Sequence, residues 1–390
     1  MRILQIADEF NSAGGLERFI YNFSVQLMKE GHETVLATLK VNYNGSWGEE
    51  DFQTVMLPEE PSRWANYAKE FQPDLIIWHT IPHTAKIVES LARKYPTVAT
   101  VHCVMCPSGL RLYRDNEALC MKRGGVSCMV NWYTRKCGTN ISPVKAFQAV
   151  SLHRSMISAL HRCTQVFAVS NAIREFLMIE GIPENKIQVF DNTLKQIEEL
   201  RPLVLPEKKQ EINLLYVGRL VYSKGVQYLL RAIPFLLDKG IAVNCSIIGD
   251  GWYKQTLEEL SHNLGLSDHV RFVGRVSGVE IDGWYANSDV VVVPSIYPDP
   301  APLVVPEARK VGKPVIVFEA GGSPEWADFM DGIYIAKRAD AKDLAETIAG
   351  FISGRHHLQR SLNADNSSRK KQRMRIDLVD AIVGGVRSGA

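Results

Sequence analysis

The stretch VVVVPSIYPDPAPLVVPE, residues 290–307, decides how the second half of the chain folds. Val290 to Val293 is a continuous apolar run of strand length without polar alternation, which reads as a strand buried on both faces. A proline-rich turn follows, and from about Leu303 to Val311 the pattern becomes helical. Asp299 and Glu307, eight positions apart, bracket that helix start, and the chain runs on through Gly312-Lys313-Pro314 to Gly321, Gly322 and Glu325. The first free amides of such a helix, those of Leu303 and Val304, suit a diphosphate. Carboxylates beside them can accept hydrogen bonds from ribose and sugar hydroxyls.

Working outward, the same alternation of apolar runs and helix-length amphipathic segments fills the chain. Strands are expected at Ile3–Ala7, Glu33–Leu39, Phe52–Leu57, Asp74–Trp78, Thr97–His102 and Gln165–Val169, and again at Ile212–Val217, Val243–Ile248, Val270–Val273 and Pro314–Phe318. Helical spacing appears at Leu16, Phe19, Ile20, Phe23 and Leu27 with Gly31 as its stop, then near Pro61–Phe71, His83–Lys94 and Pro143–Arg162. In the second half, helices are expected at about Gly225–Lys239, Tyr253–Leu264 and Gly278–Asn287. Pro202, Pro206 and the run Glu207-Lys208-Lys209 mark a linker. The expected fold class is α/β, with two doubly wound Rossmann-like domains: 1–193, carrying a cysteine-rich insertion at about 103–140, and 212–353, joined by a linker at 194–211. A basic tail, 354–390, contains a candidate crossover helix. Ligands of such sheets bind beyond the carboxyl ends of the strands, so two domains facing each other are expected to form a cleft there.

At 390 residues the chain suits two cores rather than one. Its 45 basic and 43 acidic residues are nearly balanced, which argues against a broad nucleic-acid surface. The opening Met1-Arg2-Ile3-Leu4-Gln5-Ile6-Ala7-Asp8 turns polar too soon for a signal peptide, and no apolar run has the length of a membrane span. A cytoplasmic protein is expected, with peripheral contact at a membrane surface as one option. The helix after Pro143 mixes Leu152, Met156 and Leu160 with Lys145, Arg154 and Arg162, and either a lipid-facing or an ordinary domain helix fits that pattern.

Read with Gly218-Arg219-Leu220-Val221-Tyr222-Ser223-Lys224-Gly225 and with Gly14-Gly15, the 299–325 stretch resembles the retaining nucleotide-sugar glycosyltransferases of family 4, which use the GT-B fold. The resemblance runs from about Met1 to Ala349. It implies transfer of a sugar from a nucleotide diphosphate, a UDP-sugar being favoured, to an acceptor hydroxyl with retention, in glycan or glycoconjugate biosynthesis. Arg219 and Lys224 would neutralise the diphosphate, Glu307 would bind the ribose, and Asp299, His102 and the Gly14-Gly15 loop would approach the donor sugar. Gly321 and Gly322 would supply donor-site backbone. The acceptor would be a sugar, a lipid-linked glycan or a small molecule, and the resembled scheme requires no metal or cofactor.

Each residue also has a plain structural reading: Glu307 as a first-turn glutamate, Asp299 as a turn acid, Lys224 as a solvated loop cation, His102 as a core histidine. Asp299 stands where relatives carry glutamate, one methylene longer, and Pro302 replaces a glycine common in this motif. A non-catalytic nucleotide-sugar-binding subunit and another GT-B enzyme, such as a sugar-nucleotide epimerase, are the competing functions. Cys106, Cys120, Cys128 and Cys137, with Cys103 as a competitor, are candidates for a structural zinc that would staple the long irregular insertion; reduced, unliganded thiols are the alternative.

Overall fold

The computed structural model describes residues 1–11, 15–42, 52–138, 142–190, 200–203, 211–276, 278–353 and 377–382. The chain divides into two compact units, Met1–Lys195 with Arg375–Ala390, and Gln196–Met374.

The first unit follows a strand–helix alternation: β1 (Arg2–Asn11), α1 (Gly15–Lys29), β2 (Glu33–Asn42), β3 (Gln53–Met56), α2 (Pro61–Phe71), β4 (Leu75–His79), α3 (Ala85–Leu91) and β5 (Thr97–Val101). The insertion comes next and contains α4 (Ser127–Thr134); after it follow α5 (Pro143–Arg162), β6 (Gln165–Ala168), α6 (Asn171–Ile179) and β7 (Ile187–Val189). The strands form one parallel sheet ordered β3-β2-β1-β4-β5-β6-β7. All five residues of β4 and of β5 are buried, as expected of strands covered on both faces. Local signals set the helix ends. Gly31, at φ +82°, lets the amide of His32 return to Leu27 O at 3.0 Å and close α1, and the Ser170 hydroxyl accepts the Ile173 amide at 3.3 Å to start α6.

The second unit repeats the plan with β8 (Glu211–Val217), α7 (Val226–Leu237), β9 (Ala242–Ile248), α8 (Lys254–Asn263), β10 (Val270–Gly274), α9 (Gly278–Asn287), β11 (Val290–Val293), α10 (Val304–Lys310), β12 (Val315–Phe318), β13 (Ile333–Ala336) and α11 (Ala341–Ile352). Its six-stranded parallel sheet runs β10-β9-β8-β11-β12-β13. Leu215, Val291, Val293, Val315 and Val317 of the sheet pack with Tyr285, Val305, Ala308 and Trp326 in a buried core. α10 therefore reaches its position by burying one apolar stripe against β11 and β12.

Four elements went unanticipated. β7 is three residues long, β13 carries an exposed Ile335 at the sheet edge, α4 lies inside the cysteine-rich insertion, and α11 begins with Asp340 capping the amides of Lys342 and Asp343. The candidate linker lies largely outside the described residues, as does the tail apart from 377–382. There Asp377 accepts the amides of Val379 and Asp380, helical residues 378–382 follow, and Leu378, Val379 and Ile382 are buried in the first unit. Among the described residues no helix is long and apolar enough to cross a membrane.

Candidate functional site

In the second unit the strand order reverses between β8 and β11. At such a switch point the loops leaving the two strands part and open a crevice beyond their carboxyl ends. The loop after β8 carries Arg219 and Lys224, and the loop after β11 carries Ser295, Tyr297 and Asp299. These loops are joined by backbone: the Ile296 amide donates to Ser223 O at 2.9 Å. Gly225, at φ +72°, permits the approach, since a Cβ there would lie 1.8 Å from Pro294 O.

The side chains meet as well. Lys224 Nζ donates to Asp299 Oδ2 at 2.6 Å, and Ser295 Oγ donates to the same oxygen at 3.0 Å. The Lys224 ammonium lies 5.3 Å from the centroid of the Tyr297 ring. Burial opposes its charge, but the Asp299 carboxylate together with the Tyr297 and Tyr216 phenols outweighs that and holds the Lys224 pKa above the usual lysine value. Burial, reinforced by Asp299, pushes the Tyr297 phenol up to about 12, so it stays protonated. Lys224 stands just before α7, where the helix dipole disfavours a cation; Asp299 supplies the anion that offsets this. Asp299, expected to reach toward a sugar, is buried and turned onto Lys224 by its Oδ2.

Arg219 is exposed, and its own carbonyl accepts the Tyr216 hydroxyl at 2.9 Å, which fixes the start of the loop. Gly321 and Gly322 sit against the Asp299 turn. A Cβ on Gly321, at φ +59°, would come within 2.6 Å of Asp299 O, and the Gly322 amide already donates to that oxygen at 2.8 Å. The pair thus serves to seat Asp299, and the Gly322 amide is occupied. Glu307 lies in the first turn of α10 with Oε2 accepting the Tyr285 hydroxyl at 3.0 Å. α10 has seven residues, so its dipole is small; the amides of Leu303 and Val304 find no backbone acceptor among the described residues. Glu325 is buried in a 3-10 turn, Pro324–Asp328.

In the first unit, Gly14 lies outside the described residues and Gly15 opens α1. His102 follows β5 with its ring 4.5 Å from Phe19 and 5.6 Å from Phe190. Burial pushes its pKa down to about 3, and its buried Nε2 has no partner among the described residues. The ring is a neutral hydrogen-bonding group. His79, by contrast, is fully engaged, with Nε2 on Gln5 Oε1 at 2.8 Å and Nδ1 on Thr100 Oγ1 at 2.9 Å. Asp8, near the end of β1, accepts the amides of His83 and Thr84 at 2.9 Å each and the Thr84 hydroxyl at 2.7 Å, which ties the loop after β4 to β1.

The zinc reading of the cysteines finds no support. Among the described residues no group of three or more His, Cys, Asp or Glu side chains could hold a metal. Cys120 Sγ takes the Tyr113 hydroxyl at 3.0 Å, Cys106 Sγ lies 3.3 Å from Ser108 Oγ, and burial pushes the Cys137 thiol up to about 12. A buried arginine staples the insertion instead. Arg111 donates from Nε to Met105 O at 2.9 Å, and from Nη1 to Cys120 O at 2.9 Å and Lys122 O at 3.0 Å. Its Nη2 reaches Glu180 Oε1 at 2.5 Å, and Glu180 also accepts the Gly124 amide and contacts His153 Nε2 at 3.1 Å. A guanidinium presents its donors in a rigid fork, so one side chain can gather several strands of irregular backbone.

Two parallel Rossmann-like sheets, the second with its charged side chains at a switch point, define a GT-B architecture. Residues 13–194 match the family described as Glycosyltransferase Family 4, and residues 198–371 match Glycosyl transferases group 1. The chain belongs to these glycosyltransferases and has their fold. An uncharacterized glycosyltransferase of Methanocaldococcus jannaschii is 34% identical over 186 residues, which are 45% of this chain and 47% of that protein. A GDP-mannose-dependent alpha-(1-6)-phosphatidylinositol monomannoside mannosyltransferase of Mycobacterium tuberculosis is 32% identical over 137 residues, 32% of this chain and 36% of that one. The aligned stretches thus span less than half of these curated relatives. The crystal structure of Anabaena HepE in complex with UDP superposes with a TM-score of 0.68 at 18% identity, covering 100% of both chains.

Proposed function

We propose that the protein is a retaining glycosyltransferase that moves a sugar from a nucleotide diphosphate, a UDP-sugar in preference, to an acceptor hydroxyl in cytoplasmic glycan or glycoconjugate assembly. The observation that carries this reading is the Lys224 ammonium, held charged by Asp299, at the switch point that also bears Arg219. A diphosphate bound there meets two cations as its bond to the sugar breaks, and the growing negative charge on the leaving group is stabilised where it appears. The free amides of Leu303 and Val304 add donors, and Glu307, oriented by Tyr285, accepts from a ribose diol. The acceptor attacks from the face the leaving group vacates and passes its proton to a phosphate oxygen. His102, kept neutral, offers a ring nitrogen to a sugar hydroxyl rather than a proton at physiological pH.

The preference for uridine draws on the Anabaena HepE structures with UDP and with UDP-glucose; the mannosyltransferase relative uses GDP-mannose, so guanosine belongs in the test. Thermal shifts with UDP, GDP and ADP identify the base, and transfer assays with the matching nucleotide sugars follow the product's anomeric configuration by NMR. Inversion at the anomeric carbon refutes the mechanism. Glu307→Ala should raise the donor KM by about tenfold to a hundredfold, the range for one or two hydrogen bonds to a charged group.

One observation favours a second reading, a non-catalytic subunit that binds nucleotide sugars. The Asp299 Oδ2 is committed to Lys224 and Ser295. Nucleotide binding without turnover, in the wild type and in Asp299→Glu alike, would establish it.

A further inference from the structure

Eleven large hydrophobic side chains are exposed among the described residues, and six of them fall between positions 121 and 147: Met121, Val126, Val130, Tyr133, Val144 and Phe147. Val126, Val130 and Tyr133 recur at the spacing of one face of α4, while Trp132 on the same helix is buried. Val144 and Phe147 occupy one side of the first turns of α5, against which α4 packs, and Ala146 and Val150 face inward. Among the described residues no element covers these helix faces, and the other exposed large hydrophobics are scattered.

The charge around them is mostly positive, the nearby acid Asp115 being paired with Arg135 at the end of α4 at 2.7 Å. From Ala118 through Arg174 the sequence contains no aspartate or glutamate, although the whole chain carries 43. Lys122, Arg123, Lys136 and Lys145 stand exposed among the apolar side chains. A second copy of this chain docking here face to face would bring these cations against their equivalents. A partner protein's rim ordinarily mixes signs. A diffuse anionic surface that also admits apolar side chains to a shallow depth matches both features, and that description fits the headgroup region of an anionic bilayer.

We infer that α4 and the start of α5 form a membrane-docking face that seats the first unit on anionic lipid, with Val130, Tyr133 and Phe147 entering the interface and Lys122, Lys136 and Lys145 pairing with headgroups. Of the apolar residues of α5 for which the sequence left a lipid-facing and an ordinary domain-helix reading open, Met156 and Leu160 are buried in the core, so the contact proposed here lies at the amino-terminal end of α5.

The test is flotation of the full-length protein with vesicles of phosphatidylcholine alone and of phosphatidylcholine with phosphatidylglycerol in equal parts. The protein should float with the mixed vesicles, remain behind with phosphatidylcholine, and be released by salt. Val130→Gln with Phe147→Gln should weaken partition by about tenfold or more for each apolar side chain withdrawn. Lys136→Gln with Lys145→Gln should weaken it by about fivefold per cation. All four positions are exposed, and unchanged thermal melting confirms that the variants fold. Equal binding to both vesicle types, or variants that partition like the wild type, overturns the inference. A dimer dispersed by Phe147→Gln in sedimentation, without vesicle binding, overturns it in favour of a second copy. UDP binding, read by thermal shift without lipid, tests the donor reading separately, so either proposal can fail alone.

Discussion

Asp299→Asn tests the arrangement on which the site depends, because it keeps the shape of the side chain and removes its charge. The Lys224 side chain is 18% exposed and that of Asp299 6%, so the pair lies between an exposed ion pair, worth about 0–1 kcal/mol, and a buried one, whose disruption costs about 3–5 kcal/mol. A loss of about 2–3 kcal/mol follows, which for a unit of this size lowers its melting temperature by about 4–12 °C. The pH dependence is more diagnostic. The folded protein raises the Lys224 pKa above its ordinary 10.5, so the native state keeps its proton longer than the unfolded chain does. The pair's contribution is therefore complete below about pH 10.5 and fades as pH rises through the folded value. In Asp299→Asn the largest influence raising the ammonium's pKa is gone while burial remains, so the folded pKa drops and the variant gains stability relative to wild type once pH passes that lower value. Circular dichroism melts of both proteins from pH 7 to pH 11 measure this. A variant that melts with the wild type and shows the same alkaline loss would refute the reasoning.

Arg111→Met strips donors from three carbonyls and leaves Glu180 without its guanidinium, so the first unit should lose about 3–5 kcal/mol, and hydrogen exchange should quicken across residues 105–124. His102 has a folded pKa of about 3 against 6.5 unfolded, so the unfolded chain takes up the proton first and the first unit should weaken as pH falls from about 6.5 toward 3. His102→Phe, which suits a site between Phe19 and Phe190, should shrink that acid-side loss in pH-dependent melts, leaving the share due to His79. Gly321→Ala forces a left-handed residue and places its Cβ against the Pro298–Asp299 peptide, so it should cost at least about 1–2 kcal/mol and lower turnover more than it changes UDP affinity, as separate melts and kinetics would show.

Much of the architecture was legible because buried parallel strands leave unbroken apolar runs. Val290–Val293 and the helix Pro143–Arg162 could be read to the residue. Gly225 and Gly321 could be noticed as glycines, but their reason, a backbone oxygen within 3 Å of the absent Cβ, exists only once distant loops meet. For the same cause the partnership of Lys224 with Asp299, 75 positions apart, left no mark in local spacing. The cysteines left two readings open, and the structure favours reduced thiols. What staples the insertion is Arg111 with Glu180, an arginine and a glutamate 69 positions apart that no motif singles out. Ser295 and Tyr297 lie inside the quoted stretch and still escaped notice, because an ordinary serine and tyrosine acquire a role there only once Ser295 donates to Asp299 and the Lys224 ammonium comes over the Tyr297 ring.

The join between the loops after β8 and β11 also limits how this unit can diversify. With the Ile296 amide on Ser223 O, Gly225 against Pro294 O and Lys224 on Asp299, neither segment can lengthen or tilt without dragging its neighbour. Such a welded block resists piecemeal evolutionary drift, so altered substrate preference should arise first at the edge of the sheet, around β10 and α9.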